Sequence, residues 1–280
     1  MSSQSTPSLL AAIDLDGTLF GHDGIVGPEN ERALGQLIAR GFGIVLASGR
    51  HGPNMADIAR TLPGVCGLVS CQGCEVSDPA RSRILVQHFL PAEDVALVAE
   101  VGLRAGFGVI AYTDRGERTP LDGPDIDRYR RITNTEIEVV PVAELVREHV
   151  FKVMWITKES VLDDFLGRGG AATCRPAAAE TVRSHREVFE FVPRGISKAT
   201  GTALLAREFG LSAAQVIAFG DADNDVPLFD WAGFSVAMPH SRPEVQRRAT
   251  VVAPAGEAES AFARGVEVAL ARFHENPRRG

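Results

Sequence analysis

The stretch AAIDLDGTL, residues 11–19, begins like a buried β-strand and ends in two carboxylates. Asp14 and Asp16 stand one residue apart, and Gly17 and Thr18 follow at once. Carboxylates this close repel each other, and each makes its neighbour harder to ionise unless a cation lies between them. The pattern therefore predicts a positive charge at the carboxyl end of this strand.

Two further polar clusters follow apolar runs in the same way. SGR, residues 48–50, comes after GIVLA, and GDADND, residues 220–225, comes after QVIAF. In an open α/β sheet, ligands bind outside the carboxyl ends of the strands, near the point where the strand order reverses. We therefore expect the three clusters to converge on one site.

Strand-like and helix-like segments alternate toward both ends of the chain, which predicts a parallel sheet with helices on both faces. Residues 84–189 depart from this alternation and include a long polar, charged stretch at 113–131, so they are typical of an α+β unit. The sequence thus predicts an α/β protein with a doubly wound, Rossmann-like parallel sheet. Residues 1–83 and 190–280 would form a core domain that holds all three polar clusters, and residues 84–189 an inserted α+β domain.

Composition excludes several classes of protein. The 280 residues are 45% hydrophobic and 23% charged, as in an ordinary globular protein rather than a disordered one. The net charge of −7, with no local block of Lys and Arg, argues against a nucleic-acid partner. No apolar run is long enough to span a bilayer, so we expect no membrane association.

The first residues and the cysteines favour a cytoplasmic protein. MSSQSTPS, residues 1–8, lacks the basic and apolar regions of a secretory signal. The four cysteines are too few for a disulfide framework in a chain of this size. CQGC, residues 71–74, has no second pair to complete a zinc site, so we interpret it as a turn beside a strand. The oligomeric state is not indicated.

The acidic residues at the strand ends predict a magnesium site. Asp14 and Asp16, joined by Asp221 and Asp225 at the same sheet edge, would supply several hard oxygen ligands. Mg²⁺ favours carboxylates, water and substrate phosphate oxygens, whereas zinc would call for the histidines that these stretches lack. A divalent cation would also explain why the carboxylates of DLD are tolerated together.

Other residues in the clusters suit a phosphate group. Ser48, with Gly49 behind it, can offer a hydroxyl and a backbone N–H, and Lys198 stands near a helix start that already favours an anion. A cation, a lysine and N–H donors around a carboxylate make a site for phosphoryl transfer. Asp14 can then attack phosphorus to form an aspartyl-phosphate, and Asp16 is left to act as acid and base.

DLDGTL, SGR, GISK and GDADND, in this order, resemble the four motifs of the haloacid dehalogenase-like hydrolases. The position of the insertion, between SGR and GISK, resembles that of the Cof-type sugar-phosphatase branch with a type IIB cap. The resemblance implies Asp14 as nucleophile and Asp16 as acid/base that also gives its backbone carbonyl to Mg²⁺. It further implies roles on the metal or the phosphate for Asp221, Asp225, Ser48, Gly49, Lys198 and Asn224, with Asp225 either a ligand or a supporting carboxylate.

Two positions depart from that family pattern. Gln72 stands where the family usually has the Asn of an Asn-Gly-Ala turn, and Leu228 stands where a Met is common. We expect both to lie outside the chemistry. Asp223 is expected to cap a helix or face solvent, and His51 to open a helix.

Three functions fit these residues. The first is a Mg²⁺-dependent phosphatase acting on small phosphorylated metabolites such as sugar or polyol phosphates. The second is a phosphomutase or phosphotransferase, in which a sugar hydroxyl replaces water as the acceptor. The third is a non-enzymatic phosphate-binding regulator, which would be expected to have lost Asp14 or Asp16. Lys152 and Arg118 in the insertion are either solvated charges or substrate contacts, and nothing in the sequence selects the substrate.

Overall fold

The computed structural model describes residues 7–21 and 24–273, so most of MSSQSTPS lies outside the described residues. Its strands, in chain order, are β1 Leu9–Ile13, β2 Phe42–Ala47, β3 Val65–Ser70, β4 Glu75–Ser77, β5 Ile84–Gln87, β6 Gly108–Thr113, β7 Gly116–Thr119, β8 Ile137–Val139, β9 Val150–Ile156, β10 Ala179–His185, β11 Val188–Pro193, β12 Val216–Gly220, β13 Phe234–Ala237 and β14 Val251–Val252. Its helices are α1 Pro28–Ala39, α2 Gly52–Thr61, α3 Ala92–Arg104, α4 Pro124–Thr133, α5 Val142–Leu145, α6 Glu159–Gly167, α7 Lys198–Glu208, α8 Val226–Trp231, α9 Pro243–Gln246 and α10 Ala261–Arg272.

The chain forms two compact units. Met1–Val86 and Ser197–Gly280 make the first, and Gln87–Ile196 make the second. The sequence predicted that the chain passes from the first unit to the second at 83/84 and back at 189/190. Both points fall later in the structure, because β5 still joins the first unit's sheet and β11 continues the second unit's sheet to Pro193.

The first unit is built on an eight-stranded sheet in the order β14-β13-β12-β1-β2-β3-β4-β5. The pairs from β14 through β3 are parallel, and β4 runs antiparallel to β3. Alternate residues of β1 enter two separate apolar cores, as expected for a strand covered on both faces. Ala11 and Ile13 pack with α1, α2 and α10, while Leu10 and Ala12 pack with α7, α8 and α9. The predicted doubly wound α/β fold is confirmed.

The strand order of this sheet reverses between β1 and β12. The chain passes from β1 outward through β2 and β3 on one side, and returns through β12, β13 and β14 on the other. At such a reversal the connections leave the sheet in opposite directions, which opens a crevice at the carboxyl ends of the strands. Asp14 directly follows β1, and Asp221 directly follows β12.

The second unit is an α+β structure around a six-stranded sheet in the order β10-β11-β9-β6-β7-β8. All its pairs are antiparallel except β7 with β8. One face is apolar and packs against α3, α5 and α6, with Trp155 fully buried at its centre. Helix α4 lies against the other face, where the hydroxyls of Tyr112 and Tyr129 are 2.7 Å apart.

Polar side chains occupy the α4 side of this second sheet. Lys152 Nζ donates to Glu190 Oε2 at 2.7 Å and lies 4.4 Å from the ring centroid of Tyr112, while Ser184 Oγ donates to Glu190 Oε1. Glu117 is 3% exposed, and its Oε2 atom has no hydrogen-bond partner among the described residues. Burial raises the pKa of Glu117 to about 7, against the opposing effects of Lys152 and Tyr112.

The secondary structure differs from the sequence prediction mainly in the second unit. The polar stretch 113–131 contains β7 and most of α4, whose only buried side chain is Ile126. The apolar spacing of VAELVREH, residues 142–149, also predicts a helix, but the helix ends at Leu145. Strand β10 and, in the first unit, strand β4 were not predicted. None of the helices within residues 7–21 and 24–273 combines the length and apolar character that a bilayer crossing requires.

Candidate active site

The carboxyl ends of β1 and β12 bring three carboxylates together. Asp14, Asp221 and Asp225 each offer an oxygen, and these three atoms lie within 4.8 Å of one another. The backbone N–H of Asp14 donates to Phe219 O at 3.0 Å, which extends the β1–β12 pairing to the site itself. The sheet therefore holds Asp14 and Asp221, 207 positions apart in sequence, side by side. The sequence predicted this for the clusters DLDGT and GDADND.

Lys198 bridges two of these carboxylates. Its Nζ donates to Asp14 Oδ1 at 2.6 Å and to Asp225 Oδ1 at 2.7 Å, and its side chain is fully buried. It is the first residue of α7, directly after Ser197, which caps that helix by accepting from Thr200 N. Burial alone would lower the pKa of Lys198, but attraction to the two carboxylates raises it well above the ordinary value.

The three carboxylates carry more negative charge than Lys198 offsets. Burial raises the pKa of Asp14 well above its ordinary value, and repulsion by Asp225 and Asp221 adds to the rise although the Lys198 ammonium opposes it. Burial likewise raises the pKa of Asp225. A set of hard oxygen donors that is short of positive charge fits a divalent cation such as Mg²⁺, which would restore the ionised forms.

Asp225 already uses both of its oxygens within the chain. Oδ1 accepts from Lys198, and Oδ2 accepts from the backbone N–H groups of Asp221 and Ala222 at 2.9 and 3.1 Å. These bonds shape the loop that presents Asp221. The geometry therefore favours a supporting carboxylate over a direct metal ligand, the two alternatives that the resemblance left open for Asp225.

Gly17 allows Asp221 to approach the end of β1. Its φ is +81°, and a Cβ atom there would lie 2.6 Å from Asp221 Oδ2. Thr18 Oγ1 donates to Asp221 Oδ1 at 3.4 Å, so the turn after β1 also orients this carboxylate. The DGT turn is thus shaped around a residue of a distant loop.

Asp16 does not join the carboxylate cluster. Its side chain is exposed and accepts two hydrogen bonds from Arg50, from Nε at 2.8 Å and from Nη2 at 2.5 Å. The guanidinium of Arg50 also lies 5.3 Å from the ring centroid of Phe20. Arg50 belongs to the SGR cluster, but the sequence analysis gave it no role; its place after a strand end was the available signal.

Ser48 lies at the end of β2 as predicted, but its backbone N–H is already used. The N–H donates to Val69 O at 2.9 Å, because the β2–β3 ladder continues one residue beyond β2. The expectation that this N–H binds phosphate is therefore wrong. The buried Ser48 hydroxyl accepts from Arg50 N at 3.3 Å and still has a hydrogen to donate, and Gly49 follows in the same bend.

Asn224 contacts a residue that the sequence analysis placed outside the chemistry. Its Nδ2 donates to Gln72 Oε1 at 3.1 Å, and its Oδ1 is buried with no hydrogen-bond partner among the described residues. Gln72 lies in the short turn Cys71–Gly73 between β3 and β4, so the interpretation of CQGC as a turn holds. Its position after a strand end was the signal that it belongs to the site. Leu228, the other departure, is fully buried in the apolar core.

His240 was also missed. It follows β13, and its Nε2 lies 3.7 Å from Asp221 Oδ2. Asp221 raises the pKa of the His240 ring, against the opposing effect of burial. A third strand end on this side of the sheet therefore adds a side chain beside the carboxylates.

The remaining singled-out residues are not among the three grouped carboxylates. Asp223 forms an ion pair with Arg242, and His51 directly precedes α2. In the second unit, Arg118 is paired with Glu138 and Glu148 at 3.3 and 3.4 Å. Lys152 is buried against Glu190, so neither of these two cations is simply solvated.

A family model for haloacid dehalogenase-like hydrolases matches residues 11–264. Since the match covers most of the chain and includes all the strand-end clusters, the chain belongs to this family of hydrolases. The predicted membership is confirmed.

Curated relatives lie somewhat below one third identity. The HMP-PP phosphatase of Serratia proteamaculans is 29% identical over 242 residues, covering 85% of this chain and 86% of that protein. The chloroplastic endoribonuclease YBEY of Arabidopsis thaliana is 26% identical over 273 residues, which are 93% of this chain but 45% of that protein. The chain thus spans less than half of the plant protein.

Solved structures share the fold over nearly the whole chain. A phosphatase of the haloalkanoate superfamily from Bacteroides thetaiotaomicron superimposes with a TM-score of 0.77 at 23% identity and covers 98% of both chains. A protein described as a subclass IIB sugar phosphatase superimposes with a TM-score of 0.79 at 19% identity, covering 95% of this chain and 99% of its own. Both units of the chain therefore have counterparts in known structures.

Proposed function

We propose that the protein is a Mg²⁺-dependent phosphatase that hydrolyses small phosphomonoesters, such as sugar or polyol phosphates, through an aspartyl-phosphate. The observation that carries this proposal is Lys198, buried between Asp14 and Asp225 beside Asp221 at the reversal of strand order. The relative named for HMP-PP and the fold neighbour described as a sugar phosphatase support a small phosphorylated substrate.

In the first step Asp14 attacks phosphorus while the bond from phosphorus to the ester oxygen breaks. Asp16 donates a proton to that leaving oxygen. Water then attacks the aspartyl-phosphate, Asp16 takes the proton of the water, and inorganic phosphate is released with Asp14 restored. Asp16 is exposed and paired with Arg50, and from this position it would reach both the leaving group and water.

The remaining residues orient the phosphate and offset its charge. Lys198 and the hydroxyl of Ser48 would face the phosphate oxygens, with Gly49 and Asn224 beside them. The carboxylates of Asp14 and Asp221, with the backbone carbonyl of Asp16, would hold Mg²⁺, which supplies positive charge against the phosphate. Asp225 keeps Lys198 and the loop of Asp221 in place.

Asp14→Asn tests the covalent mechanism. We expect it to abolish phosphate release from a panel of phosphorylated metabolites, because an amide cannot act as the nucleophile, and to leave the fold intact. Asp16→Asn should slow release by about two to four orders of magnitude, the usual effect of losing an acid/base. Substantial turnover by pure Asp14→Asn protein would contradict the mechanism.

The matched control is Asp223→Asn, which makes the same Asp-to-Asn change at another strand-end cluster, in the loop after β12. Asp223 pairs with Arg242 outside the carboxylate cluster, so its turnover should stay within about twofold of the wild type, as for a surface substitution. A loss equal to that of Asp14→Asn would mean that turnover is lost with any strand-end carboxylate, and that the effect of Asp14→Asn does not identify the nucleophile.

Phosphoryl transfer to a sugar is the second candidate, since water and a sugar hydroxyl compete for the same intermediate. Incubation with a sugar monophosphate separates the two: inorganic phosphate indicates hydrolysis, and an isomeric sugar phosphate indicates transfer. The presence of both Asp14 and Asp16 disfavours a non-enzymatic regulator.

A further inference from the structure

The turn between β3 and β4 has an unusual backbone. Cys71 and Gln72 have φ values of +51° and +64°, and Gly73 follows at +104°. Two successive non-glycine residues in the left-handed region are unfavourable, and such a geometry persists only where its surroundings over-determine it. Contacts with neighbouring segments must therefore hold this backbone in place.

Its surroundings are two of the strand-end clusters, SGR and GDADND, and the start of α7. Cys71 N–H donates to Arg50 O at 2.9 Å, and Gln72 N–H donates to Ser48 O at 3.1 Å, so the backbone is tied to SGR. Gly73 packs against the start of α7, since a Cβ atom there would lie 2.2 Å from Ser197 O. The side chain of Gln72, which is 2% exposed, reaches GDADND at Asn224.

The hydrogen bond between these two side chains determines which way the Asn224 amide faces. Gln72 Oε1 can only accept, so the end of Asn224 that meets it is Nδ2. The buried Oδ1 atom of Asn224 is then the end left without a partner. An unpartnered buried acceptor is costly unless a ligand supplies the donor.

Chemistry limits what that ligand is. A phosphate dianion has only acceptor oxygens, so it can take the second hydrogen of Asn224 Nδ2 but cannot satisfy Oδ1. A donor is needed, and Mg²⁺ in proteins usually keeps several waters, whose O–H groups are strong donors. Asn224 would thus contact the phosphate with one end and a water of the cation with the other.

We infer that Gln72 is a positioning residue that orients Asn224 so that Oδ1 accepts from a water of the bound cation, an inference that rests on the proposed function only for the identity of that cation. Gln72 acts through Asn224 and touches neither the phosphate nor the metal. The left-handed backbone at Gln72 directs its side-chain amide from the end of β3 to Asn224, in the loop after β12.

A double-mutant cycle between Gln72 and Asn224 tests this inference. Gln72→Met keeps an unbranched side chain of similar length without the acceptor. We expect it to weaken Mg²⁺ binding, measured by isothermal titration, by about tenfold, at the lower end of the effect of removing a partner that orients a metal site. In the Asn224→Ala background the same change should alter the Mg²⁺ dissociation constant by less than about twofold, because coupled residues are not additive.

The same cycle is run on kcat/KM for p-nitrophenyl phosphate, and thermal melts establish that each variant is folded. If the two substitutions multiply in full for Mg²⁺ binding, or if Gln72→Met binds Mg²⁺ like the wild type, the inference is overturned even when the enzyme hydrolyses phosphate. If coupling is present but the wild type releases no phosphate, the proposed function fails and the inference stands. Should Gln72→Met not fold, Gln72→Asn replaces it, since Asn tolerates the left-handed region but is too short for the contact.

Discussion

At the scale of single residues, the site depends on one cation between two buried acids. Lys198 is fully buried, and the two carboxylates that accept from it, those of Asp14 and Asp225, have little or no exposure. Removing one partner from a buried ion pair leaves an uncompensated charge, which costs far more than the pair contributes. The stability of the first unit should therefore respond sharply to this side chain.

Lys198→Met should lower the free energy of unfolding by about 3–5 kcal/mol near neutral pH, because Asp14 and Asp225 lose their counter-charge. The deficit should shrink as the pH falls, since both carboxyls become neutral. Urea denaturation with Mg²⁺ removed by chelation measures it. In the double variant Lys198→Met/Asp225→Asn one orphaned charge is gone, and part of the loss should return. Wild-type stability of Lys198→Met would contradict the assignment.

At the scale of structural elements, the turns after the strands carry the geometry of the site. Gly17 follows β1 with a positive φ and leaves no room for a Cβ atom beside Asp221. Gly210, in the turn after α7, has φ +72° but nothing within 4 Å of a Cβ position. Both glycines have a left-handed backbone, but a Cβ atom would collide with another residue only at Gly17.

Gly17→Ala and Gly210→Ala should each lose about 1–2 kcal/mol of unfolding free energy from left-handed strain. Only Gly17→Ala should also weaken Mg²⁺ binding, because its methyl group would displace the Asp221 carboxylate. Isothermal titration of Mg²⁺ into both variants separates strain from contact. Equal Mg²⁺ affinity in the two variants would show that Asp221 does not need this approach.

The sheet of the second unit contains a buried carboxyl, Glu117, whose ionisation makes the stability of the unit depend on pH. Its pKa is raised from the ordinary 4.5 to about 7 by burial, with Lys152 and Tyr112 opposing. A carboxyl whose pKa is higher in the folded state binds more protons there than in the unfolded chain between these two values. Stability contributed by this group is therefore present at low pH and is lost as the pH rises from about 4.5 to about 7.

Glu117→Gln should remove this part of the pH dependence. Between pH 4.5 and pH 7.5 the wild type should lose about 3 kcal/mol more unfolding free energy than the variant, the size set by the pKa difference. Fluorescence of Trp155 follows the second unit if Trp231, the other of the two tryptophans, is replaced by Phe in both proteins. Parallel pH profiles would mean that Glu117 ionises with an ordinary pKa.

At the scale of the whole molecule, the strand-end clusters lie in one unit and the polar sheet face in the other. The clusters of DLDGT, SGR and GDADND all belong to the first unit. The second unit places Lys152, Glu190 and other polar groups on one sheet face instead of an apolar core. We propose that this unit acts as a cap that carries substrate specificity.

Replacement of residues 87–196 by a short Gly/Ser linker tests that division. We expect the remaining unit, if it folds, to keep weak activity on an activated aryl phosphate and to lose discrimination among sugar phosphates, since closure and orientation are absent. Initial rates on a substrate panel measure both. Retention of the full-length substrate ranking would place specificity in the loops of the first unit.

Much of this protein follows from the sequence alone. The alternation of apolar runs and amphipathic segments predicts the doubly wound sheet, because strand and helix periodicity are local properties. Acidic residues at the strand ends predict Asp14, Asp221 and Asp225 as neighbours, because parallel strands bring their carboxyl ends to one edge. The chemistry of the site is accordingly a consequence of residue type and order.

Only the tertiary structure decided how those residues are used. Ser48 N–H is consumed by the strand ladder, both Asp225 oxygens are taken by Lys198 and the backbone, and Gln72 meets Asn224 across 152 residues. A polar group has few hydrogen-bonding positions, and which partner fills them depends on chain segments that no local pattern connects. Residue type therefore sets what each group is able to do, and packing sets which of those options remains.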